Sequence, residues 1–461
     1  MQPKITYTKI SNITIILLLI FSMLMLSNIE IAGFPLYSLL SLIISLCWLS
    51  ARIFFFPKDG KPIWTIRYVN DLLVIAVLLF ELLAIIVKLF QEPEKGDIGI
   101  VSNTIIISMA LLYILLSEGY KISDVYFDLI LYSGLLVVGA FLLPYFTEMQ
   151  GMSIIEAVSR SSGKMASYIM LISMISVYQY CICKDKARSM FYLLIAALSF
   201  FALFLNQNVV SFWLMVTYFI AMPVVLRATA SLIKKDMQML FVFGFMLSNM
   251  SLLTDYTDII RKEVSFSLEH SVYLELLLAV GAIFFFHYWD RIPEGVDLER
   301  LVMRKLRKGY QFLLKAIGVI FTGILLGGDR WASLPEMLGN DVVKGFAVPV
   351  VTSFKQEESG FYCWFSQLGV LGSIVVIIFI VLLFERMWRN YQLGKPCTGI
   401  LTLISTIFIV QLFFWNPNVQ TYVVYFVLLM SAAFYKEERV HITSIKINMK
   451  EKRSGGEDEK I

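Results

Sequence analysis

Charge is scarce in this sequence. Asp, Glu, Lys and Arg supply 16% of its 461 residues, against 58% for the apolar set, whereas soluble domains carry about a quarter charged residues. So little polar surface excludes a water-soluble fold of this size. Histidine is scarcer still, and His270, His287 and His441 are too scattered to form a ligand set. Cys47, Cys181, Cys183, Cys363 and Cys397 make no disulfide framework, and Cys181 and Cys183 stand one residue short of CxxC. Also missing are the phosphate-cradling GxxxxGK[ST] loop and the zinc-binding HExxH helix, so nothing reads as nucleotide hydrolysis or metal catalysis. No metal or other cofactor is expected. The net charge of +4 carries no nucleic-acid reading, because its meaning lies in which loops hold it. No internal repeat is visible.

Long apolar runs fill the space that charge leaves. About fourteen centre on 13–26, 36–55, 72–90, 98–116, 125–145, 165–182, 190–205, 209–226, 239–253, 271–289, 310–326, 361–384, 400–414 and 419–434. A membrane-crossing helix needs roughly 17–25 residues, so the short runs at 190 and 239 must borrow from their flanks. A β-barrel would show weaker alternating segments of about ten residues. The expectation is an all-α polytopic integral membrane protein with about 14 transmembrane helices. Residues 1–435 form its transmembrane domain and 436–461 a charged, disordered tail. The opening MQPKITYTKI leads into an apolar run without an A-x-A-like cleavage site, so it reads as a first span.

The connecting loops sort by charge. One alternate set holds Lys58, Lys61 and Arg67; Lys184, Lys186 and Arg188; Arg227, Lys234 and Lys235; Arg300, Arg304 and Arg307; then Arg386, Arg389 and Lys395. The other set, with Glu30, Glu92, Glu94, Glu148 and Glu156, is acidic or neutral apart from a few cations. Lys and Arg gather on the cytoplasmic side, so both termini are expected there. Segment 290–310, with Leu298, Leu301 and Leu306 opposite its arginines, reads as an amphipathic cytoplasmic helix. Ionisable groups inside the runs are Asp71, Glu81, Lys88, Asp128 and Glu275. Asp71 and Asp128 sit near cytoplasmic ends and Lys88 near an outer end, where snorkelling accounts for them. Glu81 and Glu275 have either a direct role or an inter-helix hydrogen bond.

The longest polar interval before the tail is the outward loop 327–360, which runs on to Gly372 as GGDRWASLPEMLGNDVVKGFAVPVVTSFKQEESGFYCWFSQLGVLG. A loop this long in so apolar a chain is where chemistry is expected. It offers Asp329, Arg330, Lys344, Lys355, Glu357 and Glu358. Each has a plainer reading beside the chemical one. Asp329 and Arg330 would also pair locally, Glu357 and Glu358 would also form a solvated face, and Gly369 and Gly372 suit close helix packing. Trp331 and Tyr362 can stack on a sugar or anchor at the interface.

Order and placement of these elements resemble the O-antigen and capsular polysaccharide polymerases of bacteria, within the polymerase and ligase superfamily. The resemblance runs through Asp329-Arg330-Trp331, the turn Lys344-Gly345-Phe346, Glu358-Ser359-Gly360-Phe361-Tyr362 and Gly369-x-x-Gly372. Upstream, Ser159-Arg160-Ser161-Ser162-Gly163 is similar to the Arg-x-x-Gly element of the superfamily. Topology, length and loop placement agree over nearly the whole chain. Two positions depart from the pattern. Where the superfamily commonly has Ser-Arg at an outward turn, this chain has Asn206-Gln207-Asn208, and where the lipid-A-core ligases carry histidine it has Glu358.

The resemblance implies a GT-C-like membrane fold and transfer between undecaprenyl-pyrophosphate-linked oligosaccharides in the inner membrane. It implies Arg330, Glu358 and Arg160 as catalytic residues, with Lys355, Lys344, Asp329, Trp331, Gln207 and Tyr362 binding pyrophosphate or sugar. A flippase and a chain-length regulator would be its protein partners. A glycan ligase, or a flippase or other transporter of lipid-linked oligosaccharide, is the alternative.

Overall fold

The computed structural model describes residues 7–21, 30–31, 34–55, 69–91, 110, 112–114, 116–117, 124–146, 162–206, 209–226, 230–253, 279–283, 308, 360–394, 397–412 and 419–434. Helix α1 (Tyr7–Phe21) is followed by a two-strand antiparallel ribbon, β1 (Glu30–Ile31) with β2 (Phe34–Pro35), that pairs Glu30 with Pro35 and Ile31 with Phe34. Then come α2 (Leu36–Phe55), α3 (Val69–Gln91), α4 (Asp124–Phe146) and α5 (Ser162–Ile182). Next are α6 (Lys186–Leu205), α7 (Val209–Leu226) and α8 (Ala230–Leu253). The chain returns with α9 (Gly360–Gln392), α10 (Thr398–Gln411) and α11 (Val419–Ala433). These helices follow the apolar runs because a backbone in hydrocarbon must satisfy its polar groups internally. Four described stretches are long and apolar enough to cross a membrane, within α4, α5, α6 and α9. The chain is an all-α, multi-pass membrane protein.

Where the helices overrun the hydropathy, local chemistry extends them. Asp185 caps α6, its carboxylate accepting from the Ala187 amide at 3.1 Å, so that helix starts at Lys186, before the apolar run. That run therefore draws on its flank, as Lys186–Leu205 is long and apolar enough to cross, while α8 starts at Ala230, ahead of the run at 239. At the far end of α9, an exposed Glu385–Arg389 pair at i,i+4 carries the helix to Gln392.

Helix α5 is the hub. It packs on α4, α6, α7, α8 and α10. Its stretch Met165–Ile182 is the least hydropathic of the four, yet 89% of it is buried, against 33% for Leu371–Gln392 of α9. A helix surrounded by protein can hold small and polar residues that lipid would penalise. Ser173 Oγ lies 3.0 Å from Ser199 Oγ of α6 and 2.9 Å from the Ile169 carbonyl, and Ser176 donates to the Ser173 carbonyl. On the α4 side, a Cβ placed on Gly134 would overlap the side chain of Ile172. Beyond α6, Phe200, Phe204, Phe219 and Phe243 lock α6, α7 and α8 together, with ring centroids 5.0–6.0 Å apart.

Inter-helix contacts gather the basic connections at one end of the bundle. Lys235, near the start of α8, donates to the carbonyls of Tyr180 and Cys183 at the end of α5. Tyr178 of α5 meets Cys397 before α10, and Tyr391 of α9 donates to Val225 of α7 at 3.0 Å. Asn390 of α9 donates to Ala432 and Ala433 of α11. The ends of α5, α7, α9 and α11 thus meet the starts of α6, α8 and α10, as alternate spans require. Asp71 and Asp128 stand at the starts of α3 and α4; Asp71 does not reach solvent, and Asp128 is half-buried. Asp71 is buried and accepts from Tyr113 at 2.6 Å, while Asp128 accepts from Tyr192 at 2.7 Å. A phenol on a neighbouring segment stabilises each carboxylate where it stands. The side chains of Glu81 and Lys88, all of Glu275, segment 290–310 apart from the exposed Lys308, loop 327–359 and the tail 436–461 lie outside the described residues.

Candidate functional site

The two ends of the bundle differ in chemistry. At the basic end, the Lys235 ammonium sits 2.8 Å from the Cys183 carbonyl, 3.2 Å from the Tyr180 carbonyl and 5.5 Å from the Tyr180 ring centroid. It closes the C-terminus of α5, where unpaired carbonyls attract a cation. Next to it in the chain, Asp236 is fully buried. Nearby, the Tyr180 hydroxyl donates to the Gln238 side-chain carbonyl at 3.1 Å. Arg386 of α9 lies over the Phe434 ring, 4.4 Å from its centroid.

Among the described residues, the opposite end carries neutral polar groups. Gln411 closes α10 and is completely buried; its Nε2 reaches the Met170 sulfur of α5 at 3.3 Å, a weak acceptor, and its Oε1 has no partner among the described residues. Asn206 caps α6, its backbone N–H donating to the Ala202 and Phe204 carbonyls, while its buried Oδ1 is likewise without a described partner. Deeper in the core, the Tyr425 hydroxyl is buried without a described partner, and its ring stacks on Phe408 at 3.8 Å. These atoms can hydrogen-bond a sugar or water, yet they hold no charge.

Most of the residues singled out in the sequence fall outside this description. Arg160, Gln207, Asp329, Arg330, Trp331, Lys344, Lys355 and Glu358 lie outside the described residues. Tyr362 belongs to the first turn of α9, its side chain outside the description. None of these is therefore seen together with another. Gln411 and Asp236 are what sequence reasoning missed. Gln411 is a lone amide ending the run ILTLISTIFIV, a signal that was there to read. Asp236 stands after Lys234 and Lys235, where it passes for one more loop charge.

Among the described residues, no three His, Cys, Asp or Glu side chains are grouped as a metal would need. Cys47, Cys181, Cys183 and Cys397 are free thiols. Comparison with protein-family models, with curated proteins and with solved structures gives no match.

Proposed function

We propose that this chain is a polysaccharide polymerase that joins undecaprenyl-pyrophosphate-linked oligosaccharide repeats by glycosyl transfer at the outer face of the cytoplasmic membrane. The observation that carries this reading is the meeting of the basic connections after α5, α7 and α9 at one end of the bundle. The basic connections meet at one end, so α5 and α9 begin, and α6 finishes, at the other. In the chain, Arg160 stands just before α5, Gln207 just after the Asn206 cap of α6, and Glu358 just before α9. Arg160, Gln207 and Glu358 therefore adjoin helix ends opposite the connections that hold Lys184, Lys235 and Arg389, the outer side if basic loops face the cytoplasm. Both termini are then cytoplasmic.

The chemistry suits these residue types. A hydroxyl of one lipid-linked unit attacks the anomeric carbon of the other. A C–O bond to the acceptor forms, the C–O bond to pyrophosphate breaks, and undecaprenyl pyrophosphate leaves with the electron pair. Glu358 takes the hydroxyl proton as general base. Negative charge grows on the leaving pyrophosphate, and the fixed, bidentate guanidinium groups of Arg330 and Arg160 stabilise it. Lys344 and Lys355 add positive charge, Asp329 orients Arg330, and Gln207, Trp331 and Tyr362 hold sugar. The donor is already activated, so the reaction needs no nucleotide. A flippase supplies the substrate on this side and a chain-length regulator sets the product length. Deleting the gene tests the reading. A polymerase null keeps one capped repeat on the cell surface, a flippase null keeps none, and a ligase null accumulates lipid-linked polymer.

A further inference from the structure

A carboxylate that glycosyl transfer does not use lies where α5, α7 and α8 meet at the basic end. Asp236 is 0% exposed, and neither of its carboxylate oxygens has a hydrogen-bond partner among the described residues. It sits in the early turns of α8, ahead of the apolar stretch 239–253. The adjacent cation is committed elsewhere, since Lys235 holds the Cys183 and Tyr180 carbonyls. The titratable groups in its electrostatic reach are the Cys181 thiol of α5 and the Tyr218 hydroxyl of α7. Tyr218 donates its own proton to the Met174 carbonyl at 2.7 Å. Helix α6, also packed on α8, brings no titratable group to it among the described residues. An isolated buried carboxylate neutralises where it can. A metal ion would need several ligands, and no three candidate side chains are grouped among the described residues. A proton needs one oxygen.

We propose that Asp236 is a proton-binding site, a neutral carboxylic acid while α5, α7 and α8 are packed, which gives its proton to water when that packing opens. The proposal is independent of the glycosyl-transfer reading. Burial pushes this carboxyl up to about 8, from about 4 in a solvated aspartate. The packed form therefore keeps its proton at neutral pH, and the opened form loses it. The sign of the linkage follows. Because the folded value is raised, the stability this group contributes is fully present below about pH 4 and is lost as pH rises toward about 8.

The experiment uses the full chain in nanodiscs and reads the infrared C=O stretch of protonated carboxyls. Wild type should show at neutral pH a band that Asp236→Asn lacks, and the band should disappear on titration through about 8. Identical spectra for wild type and Asp236→Asn at neutral pH would mean an ionised Asp236 and overturn the proposal. A titration that moves to lower pH when sodium replaces potassium at constant ionic strength would assign a metal cation instead, and would also overturn it. Should Asp236→Asn fail to fold, wild type alone decides. A high-pH carboxyl titration accompanied by a falling thermal midpoint supports the site, and a midpoint that stays flat or rises over that range refutes it.

Discussion

Tyr113 reaches across to α3 and donates to the buried Asp71 carboxylate at 2.6 Å, while its ring stands edge-on to Phe379 of α9 and to Phe434 beyond α11. One phenol thus joins three helices. Tyr113→Phe keeps the ring contacts and removes the donor, so it should cost about 0.5–1.5 kcal/mol, the usual net worth of an intramolecular hydrogen bond. Thermal unfolding in detergent measures it, and a wild-type midpoint would show that the ring alone matters. Arg330 carries the prediction for the proposed site. If it grips pyrophosphate through its planar fork, Arg330→Lys should lose nearly as much polymer as Arg330→Ala, because a flexible ammonium does not reproduce two parallel hydrogen bonds. Polymer amount on a gel, set against membrane abundance of the protein, decides it. Normal polymer from Arg330→Ala at normal abundance would remove Arg330 from the site.

At the level of elements, the α4–α5 seam depends on a missing side chain. Gly134 lies against Ile172, and a methyl there would overlap it. Gly134→Ala is predicted to cost about 1–3 kcal/mol through overpacking, with partial rescue by Ile172→Ala. The thermal midpoints of the single and double variants check this, and additive losses would contradict the contact. How far the elements were legible follows from the same physics. Helix α2 spans the run 36–55 at both ends, because hydropathy changes sharply where the chain leaves hydrocarbon. Helices α6, α8 and α9 outrun their apolar stretches by a turn or more. A cap or an i,i+4 ion pair extends a helix without adding apolarity. The central place of α5 was not legible at all. Its serines lower its hydropathy, and that trait marks a helix packed on protein only once its neighbours are known.

Across the whole molecule, the contacts of Lys235, Tyr391 and Asn390 bring together helix ends beside basic connections that the alternation of loop charge puts on one side. The candidate site was legible only as short motifs in order along the chain. Their mutual geometry depends on loops that join distant helices, and no local pattern encodes it. Asp236 escaped for a different reason. Burial is a tertiary property, and a charge beside two lysines looks solvated until three helices close over it. The proposed orientation yields its own prediction. A cysteine at Ser333 should react with an impermeant reagent in intact cells, whereas one at Ser454 should react only after permeabilisation. The reverse pattern would invert the molecule and place the motif loop in the cytoplasm.

Glycosyl transfer itself is tested most directly by purified protein in nanodiscs, given lipid-linked repeat units without nucleotide or divalent metal. Wild type should convert single repeats into dimers and longer chains. Glu358→Gln should bind the same lipid and turn it over about 10²–10⁴-fold more slowly, the usual loss when a general base is removed. Repeats returned unchanged by the wild-type protein, or chain growth strictly dependent on a divalent metal, would contradict the account.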